Sequence, residues 1–302
     1  MNKYKIFLFS IISLFSACHI FHGHYRNEAH ISTVNNNVCK KLTEKVVLYA
    51  IFVDSRYTNP WSTYDISSTT DSINKAICWI EKQAKERGIS LEIELDFHQD
   101  SKKIIPIETN LPRKTLSASL FTSTGVNTRN IDRWADKVGK KALQIYGTDT
   151  STITKTKIKP KDRERLIARI RDIHKTDNVA LMYFINNYYT DEISVALHIG
   201  SDHNPEYSVV SFKNPSVIAH EFLHLFGALD LYISPFDKKR KAKKKKDFVM
   251  KNFPNEIMAF PYRNLDSLAI SPLTEYLLSW DNELSKEHQQ MLFGKKIKTA
   301  KY

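Results

Sequence analysis

The sequence predicts an α/β (α+β) domain: five strands in one sheet, a helix carrying two histidines, and a small, mostly helical C-terminal part. Three observations lead there. Val46 to Val53 and Val179 to Ile185 are unbroken apolar, β-branched runs, the pattern of strands covered on both faces. Asp71 to Arg87 places Ile73, Ala76, Ile77, Ile80 and Ala84 at helical spacing, closed by Gly88, and Ile89 to Phe97 then alternates apolar with acidic residues as a half-exposed strand does. His220 to Asp230 combines two histidines, two acids and a glycine in one short stretch.

Residues 1–17 read as a secretory signal peptide, with two lysines, an apolar run from Ile6 to Phe15, and small residues before Cys18. The run is too short to span a bilayer. Ser16-Ala17-Cys18 resembles a bacterial lipoprotein box, which implies an exported chain anchored through lipid on Cys18; ordinary cleavage nearby would leave it secreted. Residues 18–43 read as a tether, and His19, His22, His24 and His30 in it as solvated residues. Outside the cytoplasm Cys39 and Cys78 can form a disulfide, and two free thiols are equally open.

Residues 44–231 form the larger part of the domain. Val46 to Val53, the Asp71 to Arg87 helix and Ile89 to Phe97 make a strand-helix-strand unit, which favours parallel pairing. Between about 101 and 178 the chain reads as an insertion with two helices, Asn127 to Tyr146 and Asp162 to His174, around a threonine-rich loop. Strands follow at Val179 to Ile185, Ile193 to Ile199 and Tyr207 to Phe212, before Pro215 and Ser216 start the next helix. His198, Asp202 and His203 fit no strong ligand spacing and read as loop residues.

Residues 232–302 form the C-terminal part. Lys238 to Lys246 holds eight basic residues and one alanine, so it carries most of the net charge of +12. Such a run repels itself, which predicts an extended loop, solubilising or in contact with an anionic membrane or cell surface. Without interleaved aromatics or a reader module it gives no specific nucleic-acid site. Leu273 to Trp280 reads as a helix, with Phe253, Phe260, Trp280 and Phe293 as the core of this part. About 260 residues remain beyond signal and tether, enough for one two-part domain with a sizeable core.

The chemistry concentrates at His220-Glu221-x-x-His224-x-x-Gly227-x-x-Asp230. On a helix, residues four apart project from one face about 6 Å apart along the axis, so two imidazoles can grip one metal ion. Glu221, beside the first histidine, is placed to act as a general base. Gly227 tolerates the left-handed conformation that ends a helix, and the chain can then return with Asp230 as a third ligand. By composition, His-acid-x-x-His alone arises by chance about 0.04 times in this chain; adding the glycine and second acid lowers that to about one in ten thousand.

This pattern resembles the zinc signature of metzincin metalloproteases in its aspartate variant, as in snapalysin-like enzymes, and Leu231-Tyr232 is similar to immune inhibitor A-type peptidases. Asn255-Glu256-Ile257-Met258-Ala259 resembles the methionine turn of that family, with Met258 as its methionine. The resemblance implies a twisted, mixed five-stranded sheet, Zn²⁺ on His220, His224 and Asp230, and peptide hydrolysis by water that Glu221 deprotonates. It places Ile193 to Ile199 at the substrate-binding sheet edge. A tyrosine commonly stands two residues after the methionine; Phe260 is there, which leaves Tyr262 as the candidate transition-state stabiliser. Glu256 or Glu275 in place of Asp230 would give a thermolysin-like ligand set. A cell-wall amidase and a non-catalytic zinc-containing lipoprotein are the competing functions.

Overall fold

The computed structural model describes residues 42–56, 58–111, 126–146, 161–186, 194–197, 205–211, 213–232 and 239–293. The signal peptide, Cys18, Cys39, the tether histidines, His198, Asp202, His203 and Lys238 lie outside these residues.

β1 (Glu44–Asp54) is an inner strand of the sheet, and its side chains alternate between two cores. Val46, Leu48, Ala50 and Phe52 face one, and Val47, Tyr49, Ile51 and Val53 the other. A strand with period two and helices over both faces must be apolar at every position, which is why β1 reads as a continuous run. α1 (Thr63–Lys85) covers the first face and leads to β2 (Leu91–Phe97), parallel to β1. α1 starts eight residues before the apolar period does. Ser62 caps it, accepting from Asp65 N–H while the Asp65 carboxylate accepts from Ser62 N–H, and the Ser67 to Thr70 stretch that follows the first turn carries no apolar signal.

After β2 come the two-residue strands β3 (Gln99–Asp100), β4 (Lys103–Ile104) and β5 (Ile107–Glu108); β3 pairs with β4, and β5 extends the ladder along the end of β1. α2 (Val126–Ile145) and α3 (Asp162–His174) then pack on the second face through Ile131, Trp134, Val138, Leu166 and Ile170. The helices between about 101 and 178 are thus the layer that makes this face dry. They pack closely at Gly139, where a Cβ would stand 3.1 Å from the Arg163 backbone.

β6 (Asn178–Ile185) pairs parallel with β1, β8 (Tyr207–Val210) parallel with β6, and β7 (Ser194–Leu197) antiparallel with β8. The order β2-β1-β6-β8-β7 contains all five expected strands, and β7 is a terminal strand of a mostly parallel sheet. Seven α-helices accompany it among the described residues.

α4 (Pro215–His224) returns to the first face, and α5 (Lys239–Asn252), a short 3₁₀ turn, α6 (Pro272–Leu277) and α7 (Lys286–Phe293) follow. Two expectations are corrected here. The basic stretch 238–246 is helical from Lys239 onward: lysine has good helix propensity, and the buried Val249 with half-buried Phe248 anchors the far end, which outweighs like-charge repulsion of a few tenths of a kcal/mol per pair. Phe253, Phe260 and Trp280 do pack as core residues, but on the α1 core, which Met258, Leu268 and Leu273 also join, and Phe293 is 38% exposed.

Candidate metal centre

Asn214 starts α4 by accepting the Ser216 N–H at 3.1 Å, with Pro215 in the first turn, where a missing N–H costs nothing. The helix is buried almost all round, so its polar side chains must find partners inside the protein. At its end Gly227 takes φ +99°, Gly227 N–H bonds His224 C=O at 3.1 Å, and Ala228 N–H bonds Leu223 C=O at 3.2 Å. These two bonds form a Schellman stop, which reverses the chain so that Asp230 comes back under the helix. A Cβ on Gly227 would meet Leu277 O at 3.0 Å, so the tight fit and the backbone angle both call for glycine.

Three ligand atoms meet at this point. His224 Nε2 lies 3.0 Å from His220 Nε2 and 3.1 Å from Asp230 Oδ1, and His220 Nε2 lies 3.3 Å from the same oxygen. The other ring nitrogens are engaged: His220 Nδ1–H donates to Ile257 C=O at 3.2 Å, and His224 Nδ1–H to Ala228 C=O at 2.7 Å. A neutral imidazole that donates at Nδ1 presents a bare lone pair at Nε2. Two such lone pairs and a carboxylate oxygen therefore converge, and only a shared proton or a cation makes that arrangement favourable. Two imidazole nitrogens and one carboxylate oxygen are a donor set suited to zinc, and the carbonyls on Nδ1 are the outer partners that orient metal-binding histidines. Among the described residues this is the one group of three with metal-ligand spacing.

The charges follow from the packing. Burial and then His224 hold His220 below the usual histidine value. Burial also lowers His224, but Asp230 and Glu221 together lift it above that value. Burial raises Asp230, and the two histidines outweigh it, keeping the carboxylate far below its ordinary range.

Glu221 is 5% exposed, and burial pushes its carboxyl up to about 7. It accepts the N–H of Ala196 on the terminal strand β7, while Oε2 has no hydrogen-bond partner among the described residues. The base candidate thus lies between the histidine pair and the sheet edge.

Met258 is fully buried, and its carbonyl accepts the N–H of Leu231 at 2.9 Å, tying the turn to the residue after Asp230. Glu256 holds the turn together. Its carboxylate accepts Met258 N–H at 3.0 Å, Ser271 N–H at 2.6 Å and the Thr274 hydroxyl at 3.0 Å. Glu275 pairs with Arg87. Both acids are committed elsewhere, so the thermolysin-like alternative is set aside in favour of Asp230.

Tyr262 is 69% exposed and lies outside the cluster; with Tyr232, Ala259, Phe260, Pro261 and Arg263 it lines a cleft of about 240 Å³. Cys78 is exposed on α1. Two residues that sequence reasoning missed stand closer to Asp230. The Tyr232 hydroxyl donates to the Asp230 carboxylate, and its ring stacks on His220 with centroids 6.1 Å apart at 27°. Lys245 Nζ donates to the Asp230 carbonyl at 2.7 Å. Tyr232 stands two residues after Asp230, in the Leu231-Tyr232 pair, whereas nothing in the basic run singles out Lys245.

No family model, curated protein or solved structure matches the chain.

Proposed function

We propose that this protein is a zinc-dependent endopeptidase of metzincin type, exported through its N-terminal signal and anchored by lipid on Cys18. The observation that carries the reading is the convergence of His220 Nε2, His224 Nε2 and Asp230 Oδ1 beside Glu221 Oε2, which has no hydrogen-bond partner among the described residues. His220, His224 and Asp230 would hold Zn²⁺, which when bound polarises a substrate carbonyl and lowers the pKa of water to about 7. Glu221 takes the water proton at Oε2 and delivers it to the leaving amine. Tyr232 and Lys245 fix Asp230 from its carboxylate and its backbone. Burial of His220, Glu221 and His224 strengthens the polar contacts they make, and Asp230 is half-buried beside them.

The position of β7 supports a peptide as substrate. It is a terminal strand, and Ala196 reaches Glu221, so an extended chain adding to this edge would pass the base. Tyr262, which lines the cleft, would act on substrate there.

The test is mass-spectrometric cleavage profiling of a diverse peptide library, with purified peptidoglycan in parallel, for the zinc-loaded and the chelated protein. Peptide cuts that disappear on chelation and return with zinc are expected. Release of peptidoglycan fragments without peptide cuts would replace the reading with an amidase, and zinc binding without any hydrolysis would replace it with a binding protein.

A further inference from the structure

α5 carries eight basic residues against one acid, and its orientation is fixed from within. Val249 is fully buried, and Phe248 packs beside Phe253 and His288. With 3.6 residues per turn, Lys245 shares the inward side with Val249, four residues on, and there it holds the Asp230 carbonyl. Lys243, Lys244, Asp247, Met250 and Lys251 are exposed to solvent.

We propose that this solvent face of α5 docks the protein on an anionic lipid bilayer. Its basic residues offer the charge that anionic headgroups attract, each worth about a fivefold gain in partitioning. An exposed apolar side chain separates a bilayer from a soluble polyanion as the occupant. Met250 is 48% exposed among the lysines, and Leu229, next to the Asp230 that Lys245 holds, is 38% exposed. In a bilayer interface such side chains bury apolar area, whereas a polymer chain in water gives them nothing to enter. Among the described residues no helix is long and apolar enough to cross a membrane. Because Lys245 ties α5 to Asp230, docking sets the distance between the metal cluster and the lipid surface.

The experiment is vesicle co-sedimentation of the mature chain carrying Cys18→Ser, so that no lipid anchor contributes, with phosphatidylcholine alone or mixed with phosphatidylglycerol, beside two further variants in that background, Lys243→Glu/Lys244→Glu/Lys251→Glu and Met250→Ser. All share the same N-terminal residues, so differences read α5 alone, and circular dichroism checks that each is folded. Selective binding to the mixed vesicles is expected, weakened by salt, lost at least about 100-fold in the triple variant and reduced in Met250→Ser. Equal binding by wild type and triple variant overturns the proposal. So does an unaffected Met250→Ser together with displacement by soluble polyphosphate, which would assign the helix to a polyanion. Binding is measured without hydrolysis, so this outcome is independent of the peptidase reading.

Discussion

Glu221→Ala is expected to bind zinc as the unmodified protein does and to lose about 10²- to 10⁴-fold in turnover, the usual contribution of a positioned general base. The separation of the two effects follows from the site. The proposed ligand atoms belong to His220, His224 and Asp230, whose contacts are with Ile257 C=O, Ala228 C=O and Tyr232, and none of these contacts involves Glu221. Removing the carboxylate relieves a desolvated group and releases one N–H, that of Ala196. Steady-state kinetics on a cleaved peptide, with zinc content measured on the same sample, reads both quantities. Turnover within a few-fold of the unmodified protein would remove Glu221 from the chemistry.

The largest structural effect is expected from Glu256→Ala. The carboxylate is fully buried and satisfies two backbone N–H groups and a hydroxyl, so its loss strands the Met258, Ser271 and Thr274 donors. Each stranded donor costs about 1–3 kcal/mol, and the three together about 3–6 kcal/mol because relaxation is shared. For a domain of this size that corresponds to a fall in Tm of about 10 °C. The same turn presents Ile257 C=O to His220, so zinc affinity should fall about 10- to 100-fold, as for other orienting partners of metal ligands. Calorimetry and a competitive zinc titration measure the two effects. A variant with Tm and zinc affinity both unchanged would show that Glu256 does not hold the turn.

The parts of the fold legible in the sequence are those set by side-chain period. β1 and β6 stand out because helices on both faces leave no exposed position, and α2 and α3 show the apolar stripes that pack on them. Period does not reveal which surface a stripe will cover, so the layer formed by α2 and α3 reads only as two inserted helices. The first turns of α1 escape because Ser67, Ser68, Thr69 and Thr70 give no apolar pattern, although Ser62 and Asp65 carry the cap signal. α5 misleads in the other direction: repulsion along the lysines suggests a loop, whereas lysine's helix propensity and the packing of Phe248 and Val249 make a helix of it.

The candidate ligands are legible for a related reason. His220 and His224 are one helical turn apart, and Gly227 marks the reversal that brings Asp230 back. Glu256, Tyr232 and Lys245 are not legible in the same way. Their contacts join segments through one hydrogen bond or a few, some to backbone atoms, which impose no spacing on the sequence.

A competitive zinc titration of the unmodified protein beside Asp230→Ala and His224→Ala tests the central claim most directly. One zinc per chain is expected, with affinity reduced more than about 100-fold in each variant, beyond the effect of losing an orienting partner alone. Unchanged zinc affinity in either variant would contradict a centre built from His220, His224 and Asp230.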